Sequence, residues 1–265
     1  MDPRVSLLKE FYRGLPKDRA KLETPEHGFV FLEKLLADGV ELEYGELTLS
    51  RLLHKYKLAR IPERRMDEFL LSHVEKGCNV CLYFDGRAND TFCFNLDNNH
   101  QVNSSALIPE IEFAIGALME HLRSLGCEPL VVASGRGYHV WGRLDGPVTN
   151  ERLHDFMLRS AVTTVAALHR EGFDHHRIKF NFYPDPRISN GVSLRLFGSL
   201  HMKTQVFSRI LTAGGLLDEA ASWEYFAEYL RNKTIAVARF NAACDGLMKS
   251  DPGWIATPGR AHLSF

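Results

Sequence analysis

The stretch "FNLDNNH", residues 94–100, holds the side chains whose types and spacing most suggest chemistry. "TFCFNLD" alternates as a strand does, with Phe92, Phe94 and Leu96 apolar, so Asn95 and Asp97 project from the same side. Two acids at that spacing could grip a divalent metal; this chain carries one acid and one amide. A second cluster, "SGRGYHVW" (134–141), begins with a glycine turn and continues as a strand. Alternation sends His139 and Trp141 to one face, Tyr138 and Val140 to the other. Ser134, Arg136 and the amides of the turn suit phosphate oxygens, although a glycine turn in a hairpin is usually only a turn. A third cluster lies in "YPDPRISNGVSLRLFGSLHMKTQ" (183–205). Arg195 sits in an apolar strand, and Ser199, His201 and Lys203 alternate after it onto one face. Such a set converging near a metal would bind a triphosphate. Asn181 and Asp185, just upstream, could complete a metal site.

The elements that must position these residues follow from periodicity. Residues 1–76 read as helical: "GFVFLEKLLADG" and "GELTLSRLLHKYKLA" have apolar residues at helical spacing, and "PERRMDEFLLSHVEKG" has Pro62 near its start and Gly77 after its end. "CNVCLYFDGRANDTFCFNLD" reads as a hairpin of two apolar-rich strands around "DGRAND". A helix is expected near 108–125, with an apolar stripe of Ile111, Ile115, Leu118, Leu122 and Leu125 and a stop at Gly126. "EPLVVASGRGYHVWGRL" should be two strands joined by the glycine turn. A second helix covers 150–171, capped by Thr149 or Asn150 and stopped by Gly172. Short strands fall in 178–210, and a last long helix near 217–247. The expected architecture is an α/β (α+β) core, residues 77–265, behind a helical N-terminal extension, residues 1–76.

With 265 residues, 45% hydrophobic and 25% charged, the chain can bury a substantial core and has the composition of a soluble globular protein. A net charge of −1 gives no global signal for nucleic acid. The run "RLLHKYKLARIPERR" is locally basic: Arg51, Lys55, Lys57, Arg60, Arg64 and Arg65 face a single acid, with Tyr56 interleaved. It could track a template strand or form a solvated helix face. No apolar run approaches a membrane span, and the N-terminus lacks an apolar signal core, so a cytoplasmic protein is expected. The five cysteines fit reduced thiols; Cys78 and Cys81 form "CNVC" with no second pair at zinc-ribbon spacing, and read as strand cysteines rather than metal ligands.

Taken in order, "NLD" (95–97), "SGRGYHVW" (134–141) and "LRLFGSLHMKT" (194–204) resemble the three motifs of the archaeo-eukaryotic primase superfamily, over about residues 78–210. The resemblance implies a primase-type core and two-metal nucleotidyl transfer, either primer synthesis or extension on DNA, with two Mg²⁺ or Mn²⁺ ions held by carboxylates. Carried over, Asp97 is the retained acid of the first motif and Asn95 takes its partner's place. Ser134, Arg136, His139, Arg195, Ser199, His201 and Lys203 would line the nucleotide pocket. The third acidic position falls on Asn181 or on Asp185. Nucleoside triphosphates, single-stranded or primer-template DNA, and a helicase or other replication or repair protein are the implied partners.

Asn95 and Asn181 standing for acids would remove two charges from the metal site. Three explanations are open: introduced substitutions, a natural member that binds without extending, or ligands made of Asp97, Asp185 and a further acid. The principal alternative function is a non-catalytic nucleotide- or nucleic-acid-binding module on the same fold. A metal-dependent nuclease accounts for Asp97 and His139 but not for the triphosphate-like set at 195–203.

Overall fold

The computed structural model describes residues 2–15, 20–24, 28–31, 63–84, 87–99, 107–188, 192–201 and 204–249. In chain order the elements are α1 (Pro3–Phe11), β1 (Ala20–Thr24), β2 (Gly28–Phe31), α2 (Glu63–Val74), β3 (Asn79–Phe84), β4 (Ala88–Asn98), α3 (Pro109–Ser124), β5 (Leu130–Ala133), β6 (Gly137–Thr149), α4 (Asn150–Arg170), β7 (Ile178–Tyr183), β8 (Val192–Arg195), β9 (Leu200–His201), β10 (Val206–Phe207), β11 (Arg209–Thr212), β12 (Gly215–Leu216), α5 (Glu219–Asn232) and α6 (Val237–Lys249).

A six-stranded sheet runs β12-β11-β5-β6-β4-β7, a four-stranded sheet β2-β1-β3-β8, and β9 and β10 form a two-stranded ribbon. The expected α/β core is present, and every pairing within these sheets is antiparallel. Each face of the large sheet has its own apolar cluster. Phe92, Phe94, Leu96, Val140, Phe180 and Phe182 pack with α3, α4 and α6. Cys93, Leu130, Val132, Trp141 and Ile210, from the opposite face, pack with α1, α2, α5 and the Val80, Leu82 and Phe84 row of β3.

The local signals at α3 and α4 operate as read. Pro109 opens α3, Glu110 and Glu112 occupy its first turn and Arg123 its last, and Gly126 takes φ +76° beyond the end. Thr149 Oγ1 accepts from the Arg152 amide at 3.4 Å to cap α4, and Gly172 leaves it at φ +77°. The end of α2 differs: Lys76, at φ +67°, supplies the left-handed residue, and Gly77 N bonds back to Ser72 O at 2.9 Å.

Three expectations are corrected. First, Ala20–Thr24 and Gly28–Phe31 are strands, not helix. β1 pairs with β3 (Leu22 opposite Val80) and with β2 (Leu22 opposite Val30). An apolar run as short as "GFVF" does not distinguish helix from strand, and sheet pairing decides it. α1 and α2 also share their apolar cluster with β3 and β8, across position 76. Second, β3 and β4 do not form a hairpin: β3 lies between β1 and β8, while β4 lies between β6 and β7 in the other sheet. Third, the terminal helix is broken. Ile235 is buried, its amide donates to Arg143 O (2.8 Å) and its carbonyl accepts from Asp145 N (3.0 Å), so Ile235 bridges to β6 at Leu144 and the chain does not continue α5. The remaining parts of "GFVFLEKLLADG" and all of "GELTLSRLLHKYKLA" lie outside the described residues.

Candidate functional site

The site grows from one row of side chains. In register across β7, β4 and β6, Asn181 is opposite Asn95 and Asn95 is opposite His139. The next row is Lys179, Asp97 and Gly137. Residues directly opposite in a ladder share a face, so Asn181, Asn95, His139, Lys179 and Asp97 stand together. The row continues inward through Val132 and Ile210 into the apolar cluster. The polar patch is therefore the margin of a packed face, with Asn95 and His139 buried and Asp97, Lys179 and Asn181 half-buried, which holds its side chains in place.

Asn95 Nδ2 donates to Asp97 Oδ2 at 3.1 Å. The remaining amide oxygen, Asn95 Oδ1, is buried without a hydrogen-bond partner among the described residues. A buried acceptor left unpaired is costly, and here it sits beside a carboxylate. That arrangement fits a cation ligated by both oxygens, with Asn181 across the ladder as a third donor. The fit extends to one divalent ion. Among the described residues Asp97 belongs to no trio of His, Cys, Asp or Glu ligand atoms lying within 4.8 Å of one another; the one such trio is elsewhere, at Asp174, His175 and His176.

Close approach explains the glycines of "SGRG". Ser134 N donates to Gly137 O (2.9 Å), closing the β5–β6 turn. A Cβ on Gly137 would lie 2.0 Å from Leu96 O and 2.4 Å from Asp97 Oδ1. Gly135, at φ +97°, lies so near the third cluster that a Cβ would come within 2.7 Å of the Cβ of His201. Ser134 is buried and Arg136 exposed at the mouth.

In the third cluster Ser199 and His201 are both buried. His201 Nδ1 accepts from the Thr204 amide (3.1 Å) and faces Thr204 Oγ1 (2.9 Å), so a neutral ring carries its proton on Nε2. Three residues that the sequence reading did not single out hold this segment. Asn79, fully buried, accepts from Leu200 N (2.9 Å) and donates to Leu200 O (2.6 Å) and to Glu23 Oε2 (2.9 Å). Glu23 Oε2 also meets Arg195 Nη1 at 3.4 Å. His73, fully buried, accepts from Val80 N at Nδ1 (3.1 Å) and donates from Nε2 to Phe197 O (2.8 Å). A polar residue such as Asn79 inside an apolar strand pattern was the available signal; the partnership of Glu23 and His73 has none in sequence.

Burial, and secondarily the Arg195 charge, push His139 down to about 3. It is thus a neutral imidazole near pH 7, and Arg195 is close enough to act on it. Burial likewise lowers His73 to about 4 despite its two backbone hydrogen bonds. Both values lie below the ordinary histidine pKa. Between pH 6.5 and about 4 the unfolded chain therefore binds more protons than the folded one, so stability falls as pH falls through that window. The His73 contribution alone is on the order of 3 kcal/mol. Urea melts at pH 7 and pH 5 should show the loss, with a shallower slope in His73→Gln; equal stability at the two pH values would contradict it.

The structure does not bring Asp185 to Asp97. β7 runs antiparallel to β4, so Asp97 faces Lys179 and the chain moves away from it toward Asp185. Asp185 instead accepts both the amide (3.0 Å) and the guanidinium of Arg187 (2.8 and 2.7 Å) and lies 3.8 Å from His154 of α4. Burial raises its pKa, but the Arg187 contacts outweigh this and hold it below the usual value. Of the two alternatives for the third position, Asn181 is the one in the row.

Cys78 and Cys81 are buried thiols, pushed up by burial to about 11 and about 12. Arg64 and Arg65 fall in the first turn of α2, and their side chains lie outside the described residues, as do Lys203, Arg51, Lys55, Lys57 and Arg60. Among the described residues no helix is long and apolar enough to cross a membrane.

No protein-family model matches the sequence, and no curated protein does. The solved structures to which the chain is similar include the following two. One is the polymerase domain of Mycobacterium tuberculosis ligase D in complex with DNA, 11% identical over 94% of this chain and 87% of that one, TM-score 0.49. The other is the AEP domain of the cyanophage S-2L primase-polymerase, 13% identical over 87% of this chain and 98% of that one, TM-score 0.37.

Proposed function

We propose that this chain is a primase-polymerase-type domain that binds a nucleoside triphosphate and primer-template DNA at the polar end of the β7-β4-β6 face, and that its capacity for template-directed nucleotidyl transfer is limited by a single carboxylate. One observation carries the reading: three segments far apart in sequence meet, with Asn95 opposite His139, Asp97 over Gly137, and the Gly135 turn against His201. In this reading the turn amides, Ser134, Arg136 and the Nε2–H of His201 bind phosphate oxygens, while neutral His139 donates or accepts one hydrogen bond without adding charge. Arg195 reaches the triphosphate by exchanging Glu23 for it. Asp97, Asn95 Oδ1 and Asn181 hold one Mg²⁺ or Mn²⁺. Such an ion supplies acidity to a primer hydroxyl and offsets phosphate charge. The full transfer chemistry uses two ions, and the charge present here suits one.

A second reading, binding without transfer, is favoured by the register of Lys179 opposite Asp97, which places a protein cation in the same row. The two are separated by titrating a fluorescent dNTP or NTP with and without Mn²⁺, beside Mn²⁺-dependent primer extension. Nucleotide binding is expected, weakened roughly tenfold or more in Arg195→Ala, the scale of a lost charge-assisted hydrogen bond. Extension separates the first reading from the second. Failure of any nucleotide to bind, or an Arg195→Ala variant that binds as wild type does, would overturn the proposed pocket.

A further inference from the structure

We propose that Asp174, His175 and His176 form a separate cation site, for a borderline transition-metal dication such as Zn²⁺, which braces the turn feeding β7. The three ligand groups fall within 4.8 Å of one another, a span that small side-chain rotations close around one ion. The sequence "DHHR" concentrates them in one 3-10 turn, His175–Arg177. A fourth group stands near: the His169 ring, in the last turn of α4, is 4.6 Å from the His175 ring, which is itself 3.9 Å from that of His176. Among the described residues His175 Nδ1 is buried and has no hydrogen-bond partner, so a nitrogen lone pair or N–H is left unused there. An ion ligated there would remove that deficit.

Donor chemistry sets the class of ion. Imidazoles with one carboxylate favour Zn²⁺, Ni²⁺ or Cu²⁺, whereas Mg²⁺ prefers hard oxygens and keeps its water. The site is thus distinct in kind from the oxygen-rich row at Asp97.

The position gives the ion something to hold. Asn99, two residues beyond Asp97, donates from Nδ2 to His176 O and from its amide to Arg177 O, both at 2.8 Å. Arg177 is paired with Glu110 of α3. The turn therefore joins α3, α4 and the ends of β4 and β7, and an ion there ties down the strand end that carries Asp97.

The test uses the full chain without a histidine tag, stripped by chelator and titrated calorimetrically with ZnCl₂ and, in parallel, MgCl₂. One equivalent of Zn²⁺ is expected to bind, with Mg²⁺ at least tenfold weaker. His176→Ala, an exposed position, should weaken Zn²⁺ at least tenfold while leaving the metal-free melting temperature unchanged; His175→Asn should do the same to Zn²⁺ affinity. Zn²⁺ should also slow amide hydrogen exchange over 178–183 and at Asn99 in wild type but not in His176→Ala. Absence of Zn²⁺ uptake, affinity unchanged in both variants, equal affinity for Mg²⁺, or exchange that ignores Zn²⁺ would each overturn the proposal. None of these readouts depends on nucleotide binding.

Discussion

Asn95→Asp combined with Asn181→Asp should make the protein less stable without metal, more stable with Mn²⁺, and at least roughly tenfold more active in primer extension. Asp97 would then have a carboxylate two residues away on its own strand and another on the neighbouring strand, all on one face. Like charges at about 5 Å repel by about 3 kcal/mol per pair at an effective dielectric near 20. Asn95 is only 7% exposed, so a carboxylate there also loses hydration. The metal-free cost should therefore reach a few kcal/mol. A bound dication reverses the sign. Ligand present at a hundred times its dissociation constant stabilises by about 2.7 kcal/mol, and three carboxylates bind such an ion more tightly than one. Asn95→Asp alone should show the same pattern in smaller measure. Thermal melts with and without Mn²⁺, followed by primer extension, check it. A double variant whose melting temperature ignores Mn²⁺ would remove the metal reading of "FNLDNNH" and leave a polar strand margin.

Gly137→Ala should be the most damaging single methyl in the site. The added carbon would lie 2.0 Å from the Leu96 carbonyl oxygen and 2.4 Å from Asp97 Oδ1. A flexible side chain could retreat, but Leu96 O belongs to a central strand paired on both sides. Overpacking of this kind costs about 1–3 kcal/mol, and a backbone contact belongs at the upper end. Whatever relaxation occurs must move Asp97, so the response of the melting temperature to Mn²⁺ should be lost together with stability. Gly116→Ala is the control. Gly116 is exposed in α3 with nothing within 4 Å of an added Cβ, so alanine should be neutral or stabilising by up to about 1 kcal/mol. Equal urea-melt stabilities for the two variants would mean that Gly137 is not pressed against β4.

How much of this was readable beforehand depended on whether the deciding interaction was local. α3 and α4 were, because caps, apolar spacing and left-handed glycines act within a few residues. The β5–β6 hairpin was too, since its glycine turn sits between its own two strands. So was the sharing of faces by Asn95 with Asp97 and by His139 with Trp141, because strand alternation has a fixed period. Glu23, Asn79 and His73 were not. Their roles come from partners such as Arg195, Leu200 and Phe197, and hydrogen bonds across such separations leave no spacing to read.

Strand partners were likewise decided by packing. β3 and β4 are neighbours in sequence and look like a hairpin, yet each buries more by lying between strands from elsewhere, β3 beside β1 and β8, β4 beside β6 and β7. The break before α6 arose because Ile235 bonds and buries better against β6 than as one more helical turn. The same cause decided which candidate stands in the row. By itself the sequence determined that Asn95 and Asp97 form a pair with one charge. Whether Asn181 or Asp185 joins them was decided by the antiparallel register of β7 on β4, which sets Asn181 opposite Asn95 and carries Asp185 away to Arg187 and α4. Register is a property of two strands that must bury their apolar faces together, and neither strand contains it alone.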